Sequence, residues 1–408
     1  MIVIAATLCV GCSAELGVAE DNRDDSPDDS TSDAGQPEQP ELGAPERPFA
    51  PSNIPATALR TSDAALVLNL DHSPAVIDTS ALSITAADGG ELLAAGMSFE
   101  TVSQPSGPEL AVLSLGSLQI AADVLVEVRG ARALALVVDG DAVVDGVIRA
   151  VGGDAQAYEL AGPGGFAGSA NDAENGAGAG GGISGQSDTG GGGGGHLASG
   201  GGGGTRNGEL GGAGGISVDS PQLIPLVGGS GGGRGGGADG GVGGGGGGAI
   251  QISAFGELRI ETSGGINAGG GGGRGGRGDD GGGGGGAGGA ILLEATSMEI
   301  RGVLAANGGG GGAGANVAEP GQSGQPGQLS AEPAAPGQAV GEGTAGGAGG
   351  AGGEAAGQPG QAANEAENTD NAGGGGGAGG RIHLRSSEPA RIAGTISPEL
   401  GLSQESLP

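Results

Sequence analysis

Tracts of consecutive glycine constrain this chain more than any other feature of its sequence. The stretch GGAILLEATSMEIRGVLAANGGGGG, residues 288 to 312, has two short apolar runs between glycine tracts. Gly loses more backbone freedom on folding than any other residue, and it has no side chain to bury. With 105 Gly among 408 residues, one Tyr, four Phe and no Trp, a conventional core of large side chains is not expected over most of the chain.

The charge of the chain narrows its partners. The formal net charge is −32, and all 15 basic residues are Arg. Such a charge repels nucleic acid and anionic lipid, so we predict no nucleic-acid partner. It favours solubility or the binding of divalent cations. The absence of Lys excludes chemistry that needs a lysine amine.

The first residues, MIVIAATLCVGCSAELG, contain an apolar run that ends at a cysteine. Residues 2 to 11 are too few to span a bilayer, which needs about 20 apolar residues, but they suit the apolar part of a signal peptide. Val10, Gly11 and Cys12 resemble the end of a bacterial lipoprotein signal. The resemblance implies cleavage after residue 11, lipidation of Cys12, and an anchor in the outer membrane with the chain at the cell surface. An ordinary or uncleaved signal is the alternative, and a Cys9–Cys12 thiol pair lacks further ligands.

The next segment predicts a disordered tether. Residues 19 to 48 are acidic, carry several prolines and show no apolar periodicity. Such a composition cannot bury enough apolar surface to offset the entropy of ordering. We therefore assign residues 12–56 to the lipidated Cys and an acidic tether.

From residue 57 to 151 the sequence predicts β-strands. Short runs rich in Val, Ile and Leu follow one another, punctuated by Gly and Asp-Gly, and none has the spacing of an amphipathic helix. We predict that this β-rich part is followed by a glycine-rich repeat region, residues 152–400. Within it, the Gln, Pro and Glu content of residues 315–372 predicts a disordered insertion. Residues 401–408 form a tail.

A short unit recurs through the β-rich and glycine-rich parts. Residues 144–148 (VDGVI), 300–304 (IRGVL) and 392–396 (IAGTI) share the pattern Val/Ile-x-Gly-x-Ile/Leu, and each follows another short strand by nine or ten residues. Alternation places Ile291, Leu293, Ile300 and Leu304 on one face. One such unit cannot bury its thin apolar stripe alone, so the units must stack.

Stacked two-strand units with insertions of unequal length predict an all-β fold, a parallel β-solenoid. A sandwich of antiparallel hairpins is the alternative. Two hypotheses remain open for the glycine tracts. They are either hydrated loops or extended helices of the polyproline-II type that hydrogen-bond to one another.

In this organisation the chain resembles glycine-rich, β-helical surface lipoproteins of Gram-negative bacteria such as myxobacteria. Its glycine tracts are superficially similar to the glycine-rich repeat proteins of mycobacteria. The resemblance implies exposure at the cell envelope, with an extracellular matrix or a surface polysaccharide as the partner. It transfers no catalytic residue and does not indicate an oligomeric state.

Few residues are candidates for chemistry. Asp139, Asp141 and Asp145 in VVDGDAVVDG are weak candidates for Ca²⁺, and Asp-Gly turns explain them better. The run Asp71-His72-Ser73 contains triad residue types, but three adjacent side chains cannot converge as a catalytic triad. We therefore predict no catalytic residue and no cofactor.

Three classes of function follow from these observations. The first is a non-enzymatic, lipid-anchored envelope protein with a structural or adhesive role. The second is a binding module for Ca²⁺, ice or polysaccharide. The third is a β-helical enzyme that degrades polysaccharides, which the absence of a cluster of Asp or Glu with basic residues disfavours.

Overall fold

The computed structural model describes residues 47–153, 157–171, 174–218, 220–316, 319–340, 344–346, 355–363 and 371–407. The predicted signal peptide, Cys12 and most of the tether lie outside these residues. Across the described part, regular secondary structure consists of 18 strands and three one-turn 3₁₀ helices, Ala56–Ala58, Leu70–His72 and Glu399–Gly401. No helix of that part is long and apolar enough to cross a membrane.

The strands form two sheets of mixed direction. The larger sheet has eleven strands: β1 (Ala65–Leu68), β4 (Ser98–Val102), β5 (Leu110–Leu115), β6 (Ser117–Ile120), β8 (Ala133–Val138), β9 (Ala142–Val144), β11 (Ala249–Ile260), β13 (Ala290–Ile300), β15 (Arg381–Ser386), β16 (Arg391–Ile392) and β18 (Leu402–Ser406). The smaller sheet has seven: β2 (Ala75–Asp78), β3 (Ser83–Thr85), β7 (Leu125–Arg129), β10 (Val147–Arg149), β12 (Gly265–Asn267), β14 (Val303–Ala305) and β17 (Thr395–Ser397).

The prediction of a parallel β-solenoid is wrong, although the all-β part of it agrees in part with these sheets. One sheet is curled like a half-barrel. The larger sheet branches, because β11 pairs with β8 over its first half and with β9 over its second. Two pairs, β2 with β3 and β4 with β5, are antiparallel. The connection from β2 to β3 is too short for a parallel crossover. Between β10 and β11 the described residues contain no strand, because glycine tracts hydrogen-bond there outside both sheets.

The recurrent units nevertheless pair in register. Ile260 lies opposite Ile300, and Ile300 lies opposite Ile392. The glycine of each unit sits where two backbones approach closely. A Cβ atom on Gly302 would lie 2.0 Å from the carbonyl oxygen of Gly264, and one on Gly394 would lie 2.0 Å from that of Gly302. The motif recurs within the chain with the same spacing because its glycine lies at a corner that has no room for a side chain.

Apolar side chains between the two sheets form the main core. Ile291, Leu293, Ile300 and Leu304, which alternation assigns to one face, are all fully buried there. Burying a side chain of this size contributes roughly 1.5–3 kcal/mol. The two sheets and the core between them, which we name the β part, are therefore held together by apolar burial.

A second apolar cluster covers the other face of the larger sheet. Residues 47–55, the N-terminal strap, bring Phe49 to within 5.0 Å of Phe255, measured between ring centroids. Beneath the strap lies Glu294, fully buried, which accepts hydrogen bonds from the Ser52 amide at 3.1 Å and the Ser253 hydroxyl at 2.7 Å. Arg385 completes the site by an ion pair with Glu294. The Glu294 carboxylate is thus paired with Arg385 and covered by the strap.

Candidate functional site

The glycine-rich region is built around one tract, residues 281–289, which we name the central tract. Its backbone amides donate in a strict three-residue period. Gly282, Gly285 and Gly288 donate to one neighbouring tract at 2.8–2.9 Å. The amides one residue earlier in the chain donate to a second neighbour, and those one residue later donate to a third.

The carbonyl groups of the central tract repeat this arrangement with three further neighbours. Gly191 and Gly194 donate to Gly282 and Gly285, each at 2.9 Å. The central tract is therefore surrounded by six tracts, which together with it form the glycine bundle. These six tracts are residues 189–196, 228–236, 240–248, 268–276, 306–315 and 371–380.

This geometry shows how the glycine tracts are arranged. A three-residue period is that of an extended polyproline-II helix, whose backbone groups point outward and are free to pair with adjacent helices. A Cβ atom on Gly284 would lie 2.1 Å from the carbonyl oxygen of Gly192, and one on Gly285 would lie 2.2 Å from that of Gly309. The bundle therefore needs glycine for close approach, and its buried polar groups are satisfied by one another.

Part of the segment expected to be disordered also contacts the bundle. Gly321, Gly324 and Gly327 donate to Gly276, Gly273 and Gly270 at 2.8–2.9 Å, again with a three-residue period. Other residues of the predicted insertion, including 347–354 and 364–370, lie outside the described residues. The domain limits stay predictions.

A cavity of about 550 Å³ opens at one side of the bundle. Its lining includes Tyr158, Glu159, Arg274, Arg277 and Ser323. Its volume lies in the range of ordinary small-molecule sites. Tyr158 is the only tyrosine of the chain, and its carbonyl accepts a hydrogen bond from Gly245 at 2.7 Å, which fixes its backbone to the bundle.

The bundle places the two arginines of the cavity on one face. The backbone amides of Gly271, Arg274 and Arg277 all donate to one neighbouring stretch of chain. They donate to the carbonyl groups of Gly245, Val242 and Asp239, at 2.7–3.2 Å. Residues three apart on such a helix are aligned along its axis, about 9 Å from each other. Within the described residues, neither guanidinium has a carboxylate at ion-pair distance, unlike Arg206 with Asp188. Among the described residues, the lining of the cavity thus has two arginines without an ion pair and one carboxylate, Glu159.

The three aspartates considered for Ca²⁺ each accept a hydrogen bond from a residue distant in the sequence. Asp139 accepts from Arg47 at 2.8 Å, Asp141 accepts from the Glu257 amide at 2.8 Å, and Asp145 accepts from the Ser263 hydroxyl. Across the residues that the structure describes, no three His, Cys, Asp or Glu side chains gather closely enough to hold a metal ion. Calcium binding at these positions stays a prediction.

The Asp71-His72-Ser73 run forms a capped turn. The Nδ1 atom of His72 accepts from the Asn69 amide at 3.2 Å, while the Asn69 side chain accepts from the Asp71 amide at 3.0 Å. The Ser73 hydroxyl accepts from the Leu125 amide at 3.1 Å. The side chains of His72 and Ser73 therefore accept from backbone amides, and Asp71 takes part in the turn through its own amide.

Two other histidines are buried. The Nδ1–H group of His196 donates to the Gly288 carbonyl at 2.8 Å, which extends the contacts of residues 189–196 with the central tract. Burial lowers the pKa of His196 to about 4, and the positive charge of Arg381 acts in the same direction. Burial also lowers the pKa of His383, whose Nδ1 atom lies 2.7 Å from the Ser403 hydroxyl.

Sequence reasoning did not identify the cavity. Its signal was present in the spacing Arg274-Gly-Gly-Arg277, which is one turn of a three-residue helix. Tyr158, in contrast, comes from a distant part of the chain, and only the bundle brings it near these arginines. No protein-family model, curated protein or solved structure matches this chain, so its resemblance to surface lipoproteins stays a prediction.

Proposed function

We propose that the chain is a non-enzymatic, lipid-anchored protein of the bacterial cell envelope with a structural or adhesive role. The observation that carries the proposal is the glycine bundle, in which the central tract is hydrogen-bonded to six neighbours. Such a lattice is a stiff body whose interior is backbone rather than a substrate site. Stiffness suits a protein that presents a surface of constant shape.

The sequence before residue 47 supports the same proposal. An apolar leader ends at Cys12, and an acidic, proline-bearing segment separates that residue from the folded part. A lipid on Cys12 would anchor the chain, and the acidic segment would act as a spacer. The turn at residues 71–73 also favours a non-enzymatic role, because the side chains of His72 and Ser73 are engaged by backbone amides.

Protease treatment of intact cells tests the exposed location. The full chain is expressed with a tag placed after Pro408, and the tag is followed after shaving. We expect loss of the tag from intact cells. Protection in intact cells, with loss only after permeabilisation of the outer membrane, would contradict a surface role and leave a periplasmic one.

Metabolic labelling with a fatty acid tests the anchor separately. The wild-type chain should incorporate label and partition with membranes, whereas Cys12→Ser should lose both properties. Cys9→Ser is the matched control, because it removes the other cysteine of the leader and should retain the label. Equal labelling of both variants would contradict lipidation at Cys12.

A further inference from the structure

We infer that the cavity beside Tyr158 binds a carboxylate-bearing saccharide, such as a stretch of linear polyuronate. The inference rests on the proposed adhesive function and names its ligand. It is drawn from the charge, spacing and lining of the cavity.

The charge of the cavity runs against that of the chain. The net charge is −32, yet this cavity contains Arg274 and Arg277 with one carboxylate, Glu159. A guanidinium group binds a planar carboxylate through two parallel N–H···O bonds. Both guanidinium groups are without an ion pair inside the described part of the chain, so they are available to an anionic ligand.

The spacing of the two arginines selects a ligand with repeated charges. They lie on one face of an extended helix, about 9 Å apart along its axis. A single small anion would engage one of them, whereas a linear chain with a carboxylate on every ring can engage both. The backbone of Arg274 is held on each side, by its amide to Val242 and by its carbonyl to Gly283, each at 2.9 Å. The backbone that carries the first arginine is therefore fixed before any ligand binds.

The remaining lining suits sugar rings. The half-buried ring of Tyr158 offers an apolar surface with a hydroxyl at its edge, and the apolar face of a pyranose can pack on it. Ser323, whose oxygen already accepts from the Gly275 amide at 3.2 Å, has its own hydroxyl proton to donate. Glu159 can accept hydrogen bonds from ring hydroxyls. Nucleic acid fits poorly, because the net charge repels it and the described lining has one aromatic ring.

The test is calorimetric titration of the full chain with a short oligouronate, with its carboxyl-reduced neutral counterpart, and with inorganic phosphate. We expect the oligouronate alone to bind, and its affinity to fall as salt is added. Arg274→Gln and Arg277→Gln should each weaken binding about tenfold or more, because each removes a charge-assisted bidentate contact. Arg391→Gln is the matched control, since Arg391 is exposed on β16, outside the cavity, and should bind as the wild type does.

Several outcomes would overturn the inference. They are absence of oligouronate binding, equal binding of the neutral saccharide, and unchanged affinity in the Arg274→Gln, Arg277→Gln double variant. Equal binding of phosphate would show a general anion site instead. Should Arg274→Gln disturb the bundle, Arg277→Gln, whose side chain is exposed, provides the independent test. Protease shaving separates the two proposals, because a shaved tag without oligouronate binding would remove this ligand and leave the surface role standing.

Discussion

The β part and the glycine bundle are both tightly packed, but different groups stabilise them. In the β part, side chains such as Leu293 and Ile300 fill the space between sheets, and their burial supplies the stability. In the bundle, the interior contains almost no side chains, and the tracts are held to one another by backbone hydrogen bonds of 2.6–3.2 Å. One region is packed with apolar atoms, and the other with peptide groups.

The comparison teaches where each region tolerates change. An apolar core can relax partly around a lost methyl group, because side chains move more easily than backbone. A bundle of backbones cannot accept an added methyl group without separating two chains and breaking their hydrogen bonds. Residues 249–260 and 290–300 join the regions, since each follows a glycine tract and continues directly as a strand of the larger sheet.

The largest effect is expected from a methyl group in the middle of the bundle. A Cβ atom on Gly284 would meet the Gly192 carbonyl oxygen at 2.1 Å, and that atom is backbone. We expect Gly284→Ala to lower the free energy of unfolding by about 5 kcal/mol, from overpacking and the loss of two or three hydrogen bonds. Amide exchange should accelerate through the bundle in the variant while β11 and β13 stay protected. Unchanged exchange in the bundle would contradict the close packing.

The corresponding change in the β part removes atoms rather than adding them. Leu293 is fully buried between the sheets, so Leu293→Ala should lower the free energy of unfolding by about 4 kcal/mol. Denaturant unfolding measures this. Leu210→Ala is the control, because Leu210 is 82% exposed and its truncation should change stability by less than about 0.5 kcal/mol. A loss at Leu293 no larger than at Leu210 would show that apolar burial does not hold this part together.

The sequence carried the local units of the β part but not their assembly. The pattern Val/Ile-x-Gly-x-Ile/Leu marks two strands and a corner, and the structure has both strands and a corner glycine that lacks room for a Cβ atom. Whether such strands build a solenoid or branched, curled sheets depends on pairings between distant residues, such as Ala142 with Leu258. Alternation along one strand contains no information about those partners, which is why the solenoid prediction failed.

The glycine tracts pose a different difficulty. A hydrated linker and a tightly packed helix can have the same run of glycines, because neither requires a particular side chain. What separates them is the number of neighbouring tracts, and the central tract has six. The cavity was hidden for the same reason, since Tyr158 and Arg277 are brought together only by the packing of tracts that look alike in sequence.

A pH titration probes the junction between the two regions, where His196 contacts the central tract. Burial lowers the pKa of His196 from 6.5 to about 4, so the folded state prefers the neutral ring. The stability contributed by this preference is fully present above pH 6.5 and declines as the pH falls toward 4, because the unfolded chain takes up the proton first. We expect the loss to reach about 3 kcal/mol at pH 4.

The His196→Asn variant isolates this effect from the carboxylates that titrate in the same range. Asn can keep a donor toward the Gly288 carbonyl but cannot be protonated. The difference in unfolding free energy between wild type and variant should be constant above pH 6.5 and shift against the wild type below it. A difference that does not vary with pH would show that His196 is hydrated in the folded state.

The smallest effect, and the one that distinguishes two reasons for glycine, is expected at Gly202. A Cβ atom there would have the Gly212 carbonyl oxygen at 3.8 Å as its nearest neighbour, which is ordinary contact. Gly202 lies outside the bundle, in a tract that pairs with it through the Gly201 amide and the Gly376 carbonyl. If the glycine tracts need glycine only for clearance, Gly202→Ala should raise the free energy of unfolding by about 0.5 kcal/mol, because Ala restricts the unfolded chain. Denaturant unfolding of Gly202→Ala and Gly284→Ala measures the difference between their free energies of unfolding. A loss above about 1 kcal/mol at Gly202 would mean that the glycine tracts need glycine for its backbone conformation, and not only where two tracts touch.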